Sequence, residues 1–160
     1  MHPLVEAVGI HLLFESDGHV LLGRRLNTSY EHGAYHVPAG HLKPGESVAA
    51  GAAREAYEET GVIIDAESGL QLTHVVHQLD ADDGRDRLQL FFRVLAYTGV
   101  IATKEPDKCA GWEWHPLDVL PEPLVDYTRA APDAIRAGRT FTAIGWDTAS
   151  AATRQAGGRV

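Results

Sequence analysis

Short runs of apolar residues broken by turn-forming residues dominate the chain, and the period becomes helical in two places. Val5 to Phe14 reads as a strand, followed by the turn residues Ser16-Asp17-Gly18. His19 to Leu26 is a second strand, so the spacing predicts a hairpin. Asn27 to Ala34 is polar and glycine-containing, hence a loop. Tyr35-His36-Val37 is a short strand halted by Pro38 and Gly40, and Lys43-Pro44-Gly45 is a turn. From Ser47 to Thr60 the pattern is helical, with Val48, Ala49, Ala52, Ala53 and Ala56 on one small apolar face able to lie close against a sheet. Glu46 and Ser47 suit the start of that helix by dipole and by capping, and Gly61 suits its end. Leu70 to Leu79 and Arg87 to Tyr97 form a strand pair across the polar turn Asp80 to Gly84. Trp112 to His115 is another short strand. A second helix falls within Pro123 to Ala137, where Pro132 is expected to kink or split it, and Phe141 to Trp146 is a last strand or packed segment. Strands outnumber helices, so the expected fold is α/β with a mixed sheet and helices on its faces.

Composition narrows the class. The 160 residues suit a single domain over residues 1–146, followed by an Ala/Gly/Thr/Ser-rich tail, 147–160, expected to be loosely ordered. No apolar run approaches the roughly 18–20 residues needed to span a bilayer, and the N-terminus lacks the basic start of a signal peptide. The single cysteine, Cys109, rules out an internal disulfide framework and fits a reducing cytoplasm. A formal net charge of −8 leaves no general footprint for long nucleic acid. A small polyanion could still bind where metal and a few arginines reverse the local field.

The candidate chemistry lies in Arg54-Glu55-Ala56-Tyr57-Glu58-Glu59-Thr60-Gly61. Glu55, Glu58 and Glu59, spaced i, i+3 and i+4, share one helix face. Gly51, one turn earlier, is expected to leave them unscreened. Three such carboxylates repel one another, and bound cations would relieve that repulsion. Oxygen-only ligands favour hard ions, Mg²⁺ first and Mn²⁺ as a substitute. Taken alone, the same pattern also describes a solvated acidic helix face.

The surroundings decide between these readings. Gly40 is followed after five residues by Glu46, and after seven more by Arg54-Glu55-Ala56-Tyr57-Glu58-Glu59-Thr60-Gly61-Val62. This resembles the signature of the Nudix (MutT-type) hydrolases, G-x5-E-x7-R-E-U-x-E-E-x-G-U, and every charged and glycine position is present. Ala56 stands where larger aliphatics are common, and Ala39 where a glycine often precedes Gly40. The resemblance implies a Nudix-fold α/β/α sandwich with the motif as loop-helix-loop. It implies that Glu55, Glu58 and Glu59 bind metal and that Arg54 holds those carboxylates. It gives Glu46 a structural role, and makes Gly40 and Gly61 positions of tight turning. The catalytic base varies among members, and Glu58 is a candidate. A homodimer is compatible with the resemblance, and no residue specifies one.

Outside the motif the signals are thinner. An arginine where Arg25 stands can contact substrate phosphate in MutT-type members, and Arg24 is its neighbour. The stretch Lys104 to Trp114 is similar to a segment of triphosphate-cleaving members, where Glu113 could match an additional metal-binding glutamate. Trp112 and Trp114 share a strand face and are expected in the core. The acidic loop at Asp80 lacks calcium-loop spacing. His74 and His77, three apart on a strand, should not share a metal. His32, His36 and His41 flank the motif and are candidate pocket residues. The reading is a Mg²⁺-dependent pyrophosphohydrolase acting on a nucleoside triphosphate or modified nucleotide. The rivals are hydrolysis of a nucleotide sugar, ADP-ribose or another nucleoside diphosphate compound, and a non-catalytic nucleotide-binding module.

Overall fold

The computed structural model describes residues 7–29, 31–80 and 83–146. Val5 and Glu6, at the start of the expected first strand, and the tail 147–160 lie outside the described residues.

A five-stranded mixed sheet forms the frame. Its order is β5 (Ala39–His41), β1 (Ala7–Leu13), β7 (Asp86–Val94), β6 (Leu70–Leu79) and β9 (Phe141–Ile144). β1 runs parallel to β7 and β6 parallel to β9, while the β1–β5 and β6–β7 pairs are antiparallel. A smaller sheet is built on β3 (His19–Arg25), which pairs with β2 (Glu15–Ser16), β4 (Tyr35–His36) and β8 (Cys109–Pro116).

Alternation along β1 explains the layers. Ile10 and Leu12 point to one face, where they join Ala52 and Ala56 of α1 (Val48–Thr60) and Phe92 of β7 in one core. Leu13 points to the other face, joining Phe91, Val76 and Ala131 of α2 (Asp126–Arg136) in a second core. The sheet is therefore covered by a helix on each face, the expected α/β/α arrangement. The apolar face read for α1 is real, and it packs closely. A Cβ at Gly51 would stand 2.9 Å from Ile10 Cδ1, so that glycine serves the helix–sheet approach rather than exposure of the glutamates.

Three local expectations change. The first two strands do not pair as one hairpin. The tight turn at Asp17 (φ 47°) and Gly18 (φ 72°) joins only β2 to β3, while β1 lies between β5 and β7. Buried Phe14 marks where the chain passes between the sheets. Gly40 does not halt a strand but lies within β5, opposite Ile10. Pro132 stays inside a single α2, where it withholds only its own missing N–H from the ladder.

Candidate active site

The motif helix is closed at both ends by its own sequence. The Ser47 hydroxyl accepts from the Ala50 N–H at 3.2 Å, and Gly61, at φ 79°, ends the helix in the left-handed conformation by donating to the Tyr57 carbonyl at 2.9 Å. The turn before it is held by Glu46, whose Oε1 accepts from the Lys43 N–H at 2.8 Å.

Arg54 organises the carboxylates. Its Nε and Nη2 donate to the two oxygens of Glu46 at 3.0 and 2.6 Å, a two-pronged grip. Nη1 donates to Glu55 at 2.6 Å and to Glu58 at 3.1 Å, and Nη2 also reaches the His41 carbonyl at 3.1 Å. Arg54 thus ties the loop from β5 to three acidic side chains. Hydrogen bonds from Arg54 and then from the Lys43 backbone hold Glu46 down at about 2, so it stays a carboxylate partner for the arginine.

Glu55, which is buried, and Glu59, which is half-buried, behave differently from Glu46. Glu55 turns its carboxyl onto β5, where a Cβ on Gly40 would overlap all three carboxyl atoms. Gly40 is therefore not a tight turn, as the motif suggested; its missing side chain is the space that Glu55 fills. Burial raises Glu55, with Arg54 opposing. Glu59 accepts from the Ala39 N–H at 3.0 Å, yet burial, with Glu55 and Glu105 nearby, pushes it up to about 8. Glu58 stays exposed, with Lys43 Nζ 3.8 Å away. Among the described residues no three acidic, histidine or cysteine side chains are already gathered as a closed metal cage. The donors nevertheless fit a hard divalent cation. They are all carboxylate oxygens, two are costly to keep charged where they stand, and Gly40 leaves the room in which the Glu55 carboxyl sits.

A cleft of about 610 Å³ opens beside them. Glu59, Ala39 and Gly40 line it, as do Arg25 and Lys108. Of the two candidate arginines, Arg25 faces the cleft and donates to Thr28 Oγ1 at 3.3 Å. Arg24 is exposed outside it, its guanidinium 5.9 Å from the Tyr35 ring centroid. Glu113 lies on the exposed side of β8 beside His115, 3.7 Å away. The acid that this segment brings to the cluster is Glu105, which acts electrostatically on both Glu55 and Glu59 and pairs with Lys108 at 3.2 Å. Sequence reasoning gave Glu105 no role of its own; its signal was its place in the Lys104 to Trp114 stretch, from which Glu113 was chosen instead. Trp112 packs into the core and its indole N–H donates to the Glu59 carbonyl at 3.1 Å, whereas Trp114 is exposed. His36 and His41 line the cleft and His32 does not. His74 and His77 bond separately, to Thr142 and to Asp86.

A family model described as the NUDIX domain matches residues 3–135. The chain belongs to the Nudix family. It is similar over 79% of its length to a MutT Nudix hydrolase of Burkholderia pseudomallei, with 31% identity, a TM-score of 0.72 and 95% of that chain covered. It is 29% identical over 136 residues to an ADP-ribose pyrophosphatase of Methanocaldococcus jannaschii, covering 85% of this chain and 75% of that protein. It is 30% identical over 138 residues to an RNA pyrophosphohydrolase of Erythrobacter litoralis, covering 78% of this chain and 84% of that one. A shorter match, 32% over 105 residues, covers 62% of this chain and 57% of an uncharacterized Nudix hydrolase of Rhodococcus erythropolis. As a Nudix hydrolase, the protein acts on pyrophosphate bonds. No helix among its described residues is long and apolar enough to cross a membrane.

Proposed function

We propose that this Nudix hydrolase is a Mg²⁺-dependent pyrophosphohydrolase of a nucleoside triphosphate or a modified nucleotide. The observation that carries this reading is half-buried Glu59, lining a cleft with Arg25 and Lys108, with buried Glu55 one helical turn away. Glu55, Glu58 and Glu59 would hold the ion, with Mn²⁺ as a substitute, and Glu105 stands near enough to add charge. When bound, the ion supplies Lewis-acid neutralisation of phosphate oxygens. Arg54 keeps the carboxylates aimed, and Arg25 and Lys108 attract the phosphate chain. Water adds to one phosphorus, the bridging oxygen leaves with the other phosphoryl group, and a carboxylate takes the water's proton. Exposed Glu58 is the candidate for that base.

Hydrolysis of ADP-ribose, a nucleotide sugar or another nucleoside diphosphate compound is the second reading, favoured by the name of the archaeal relative. A non-catalytic module is disfavoured because no motif glutamate is missing. A single domain over residues 1–146, a cytoplasmic setting and a small-molecule rather than long nucleic-acid substrate complete the proposal; a homodimer is compatible with it. The test is a nucleotide panel assayed with Mg²⁺ and product identification. Pyrophosphate plus nucleoside monophosphate from a triphosphate is expected. Glu59→Gln should lower turnover by about 10²–10³-fold, in line with the loss of a charge-stabilising group, while the protein still melts cooperatively. Tight nucleotide binding without turnover by the wild type would favour the module instead.

A further inference from the structure

The floor of the cleft is polar where a sheet face beneath a helix is ordinarily apolar. Gly9 of β1 lies opposite Gln89 of β7, and His11 lies opposite Phe91 and stacks on it at 4.6 Å. His11 and Gln89 are only 3% and 5% exposed. His11 Nε2 donates to Gln89 Oε1 at 2.7 Å, and Gln89 Nε2 donates to Gln78 Oε1 at 3.3 Å. The amide is thereby fixed in orientation, and the His11 proton is assigned to Nε2.

Gly9 is part of the same device. A Cβ there would overlap Gln89 Oε1, so the amide lies flat across β1 in the space of a missing side chain. The row is also incompletely satisfied. His11 Nδ1 and both ring nitrogens of His36, which borders the same cleft, are buried without hydrogen-bond partners. Folded proteins leave few such atoms, and a ligand is one way to supply the partner. Burial holds His11 down to about 4 and His36 to about 3, so both rings are neutral near pH 7. Arg87, at the border of the floor, is neutralised by Asp80 at 3.0 Å.

We propose that Gln89, set in place by Gly9 and His11, is a specificity-determining residue that reads the base of the substrate. After its bonds to His11 and Gln78 the amide keeps one N–H and one carbonyl lone pair, a donor beside an acceptor. That pair matches the edge of an uncharged nitrogen heterocycle, as glutamine amides match base edges elsewhere. A charged group beside the amide would find Arg87 already paired with Asp80, and an apolar one would leave the amide unsatisfied. The inference rests on the pyrophosphohydrolase reading, which puts the phosphates at the Glu59 end and the rest of the substrate over this floor.

Binding and turnover are measured separately. Metal-free protein is titrated calorimetrically with nucleoside monophosphates of each common base and with ribose 5-phosphate, which has no base. At least one monophosphate should bind about tenfold tighter than ribose 5-phosphate, the equivalent of one well-placed hydrogen bond to the base. In Gln89→Leu and in Gly9→Ala that ratio should fall to within about twofold, and Gln89→Asn should be intermediate. In the wild type, the Gln89 side-chain amide signals in the NMR spectrum should shift with the nucleotide and not with ribose 5-phosphate, which reads the contact even if a variant does not fold. A wild-type ratio near one, a ratio unchanged in the variants, or unmoved amide signals would overturn the assignment. Turnover of the nucleotide panel is the separate arm: a wild type that binds the base through Gln89 but cleaves nothing refutes the hydrolase reading and leaves the base site standing.

Discussion

Replacing Gly40 with alanine tests whether the active site depends on an absent side chain. Gly40 does not have positive φ, so alanine brings no backbone strain, only a collision. Its Cβ would fall well under 3 Å from the Glu55 carboxyl carbon and both oxygens, a separation that real Cβ atoms do not show. Ordinary contact between such atoms is about 3.5 Å, so the carboxylate must retreat by on the order of 1 Å. It has little room, being 7% exposed and held by Arg54 at 2.6 Å. Overpacking of this kind costs about 1–3 kcal/mol, a drop in Tm of roughly 3–10 °C for a domain of this size. Misplacing a catalytic group by about 1 Å can cost 10²-fold in rate, and kcat/KM should fall by about that factor.

Gly45→Ala is the control. At φ 81° with nothing within 4 Å of the new Cβ, it should cost about 1–2 kcal/mol through backbone conformation alone and leave turnover near wild type. A second arm is Gly40→Ala combined with Glu55→Asp. The shorter side chain should relieve the collision and recover much of the melting temperature, but not the rate. If Gly40→Ala melts and turns over like the wild type, Glu55 does not occupy that space and the account of the glycine is wrong.

Three further outcomes follow from the same geometry. Arg25→Ala should raise KM about tenfold with a smaller change in kcat, as loss of one phosphate contact does, while Arg24→Ala, outside the cleft, should stay within about twofold in steady-state kinetics. Glu105→Gln should lower kcat/KM by about tenfold and Glu113→Gln should leave it unchanged; the reverse ranking would return the extra acidic role to β8. His36 titrates at about 3 when folded and near 6.5 when unfolded, so the unfolded chain binds more protons between those values and the histidine destabilises the fold as pH falls. Glu59 shifts the opposite way in the metal-free protein, so the reading is taken as a difference: by urea unfolding, the stability of His36→Phe relative to wild type should grow by about 2 kcal/mol between pH 7.5 and pH 5, and a constant difference would refute it.

Much of the fold could be read from the chain because each element is marked locally. Ser47 and Gly61 close α1 where capping chemistry places them, and the β6 bounds coincide with the apolar run Leu70 to Leu79. The pairing of those elements is less local. Nothing near Val8 says that it lies opposite Leu88, and the two-residue β2 carries no periodicity to separate it from β1. The acidic cluster divides in the same way. Arg54, Glu55, Glu58 and Glu59 are visible as a helix face. Glu46 and Glu105 belong to the site because loops bring them back, Glu46 through the Arg54 grip and Glu105 across the chain from α1.

The glycines make the point most sharply. In the sequence Gly9 falls within a strand run, Gly51 within a helix and Gly40 at an expected turn, and none of them announces which neighbour it admits. In the structure none of the three has positive φ, and each leaves room for a particular neighbour: Glu55, Ile10 and Gln89. Two of those neighbours are polar, the Glu55 carboxyl beside β5 and the Gln89 amide across β1. A buried carboxyl and a buried amide both need a strand that comes within a missing side chain's distance. β5 meets that need for Glu55 and β1 for Gln89, and β1 and β5 are paired directly to one another. The placement of these two gaps relative to one another is therefore set by the register of one strand pair, Gly9 opposite His41 and Ile10 opposite Gly40. A one-residue slip in that register would turn Gly40 off the Glu55 carboxyl, so the glycine is needed at a position where no turn is made.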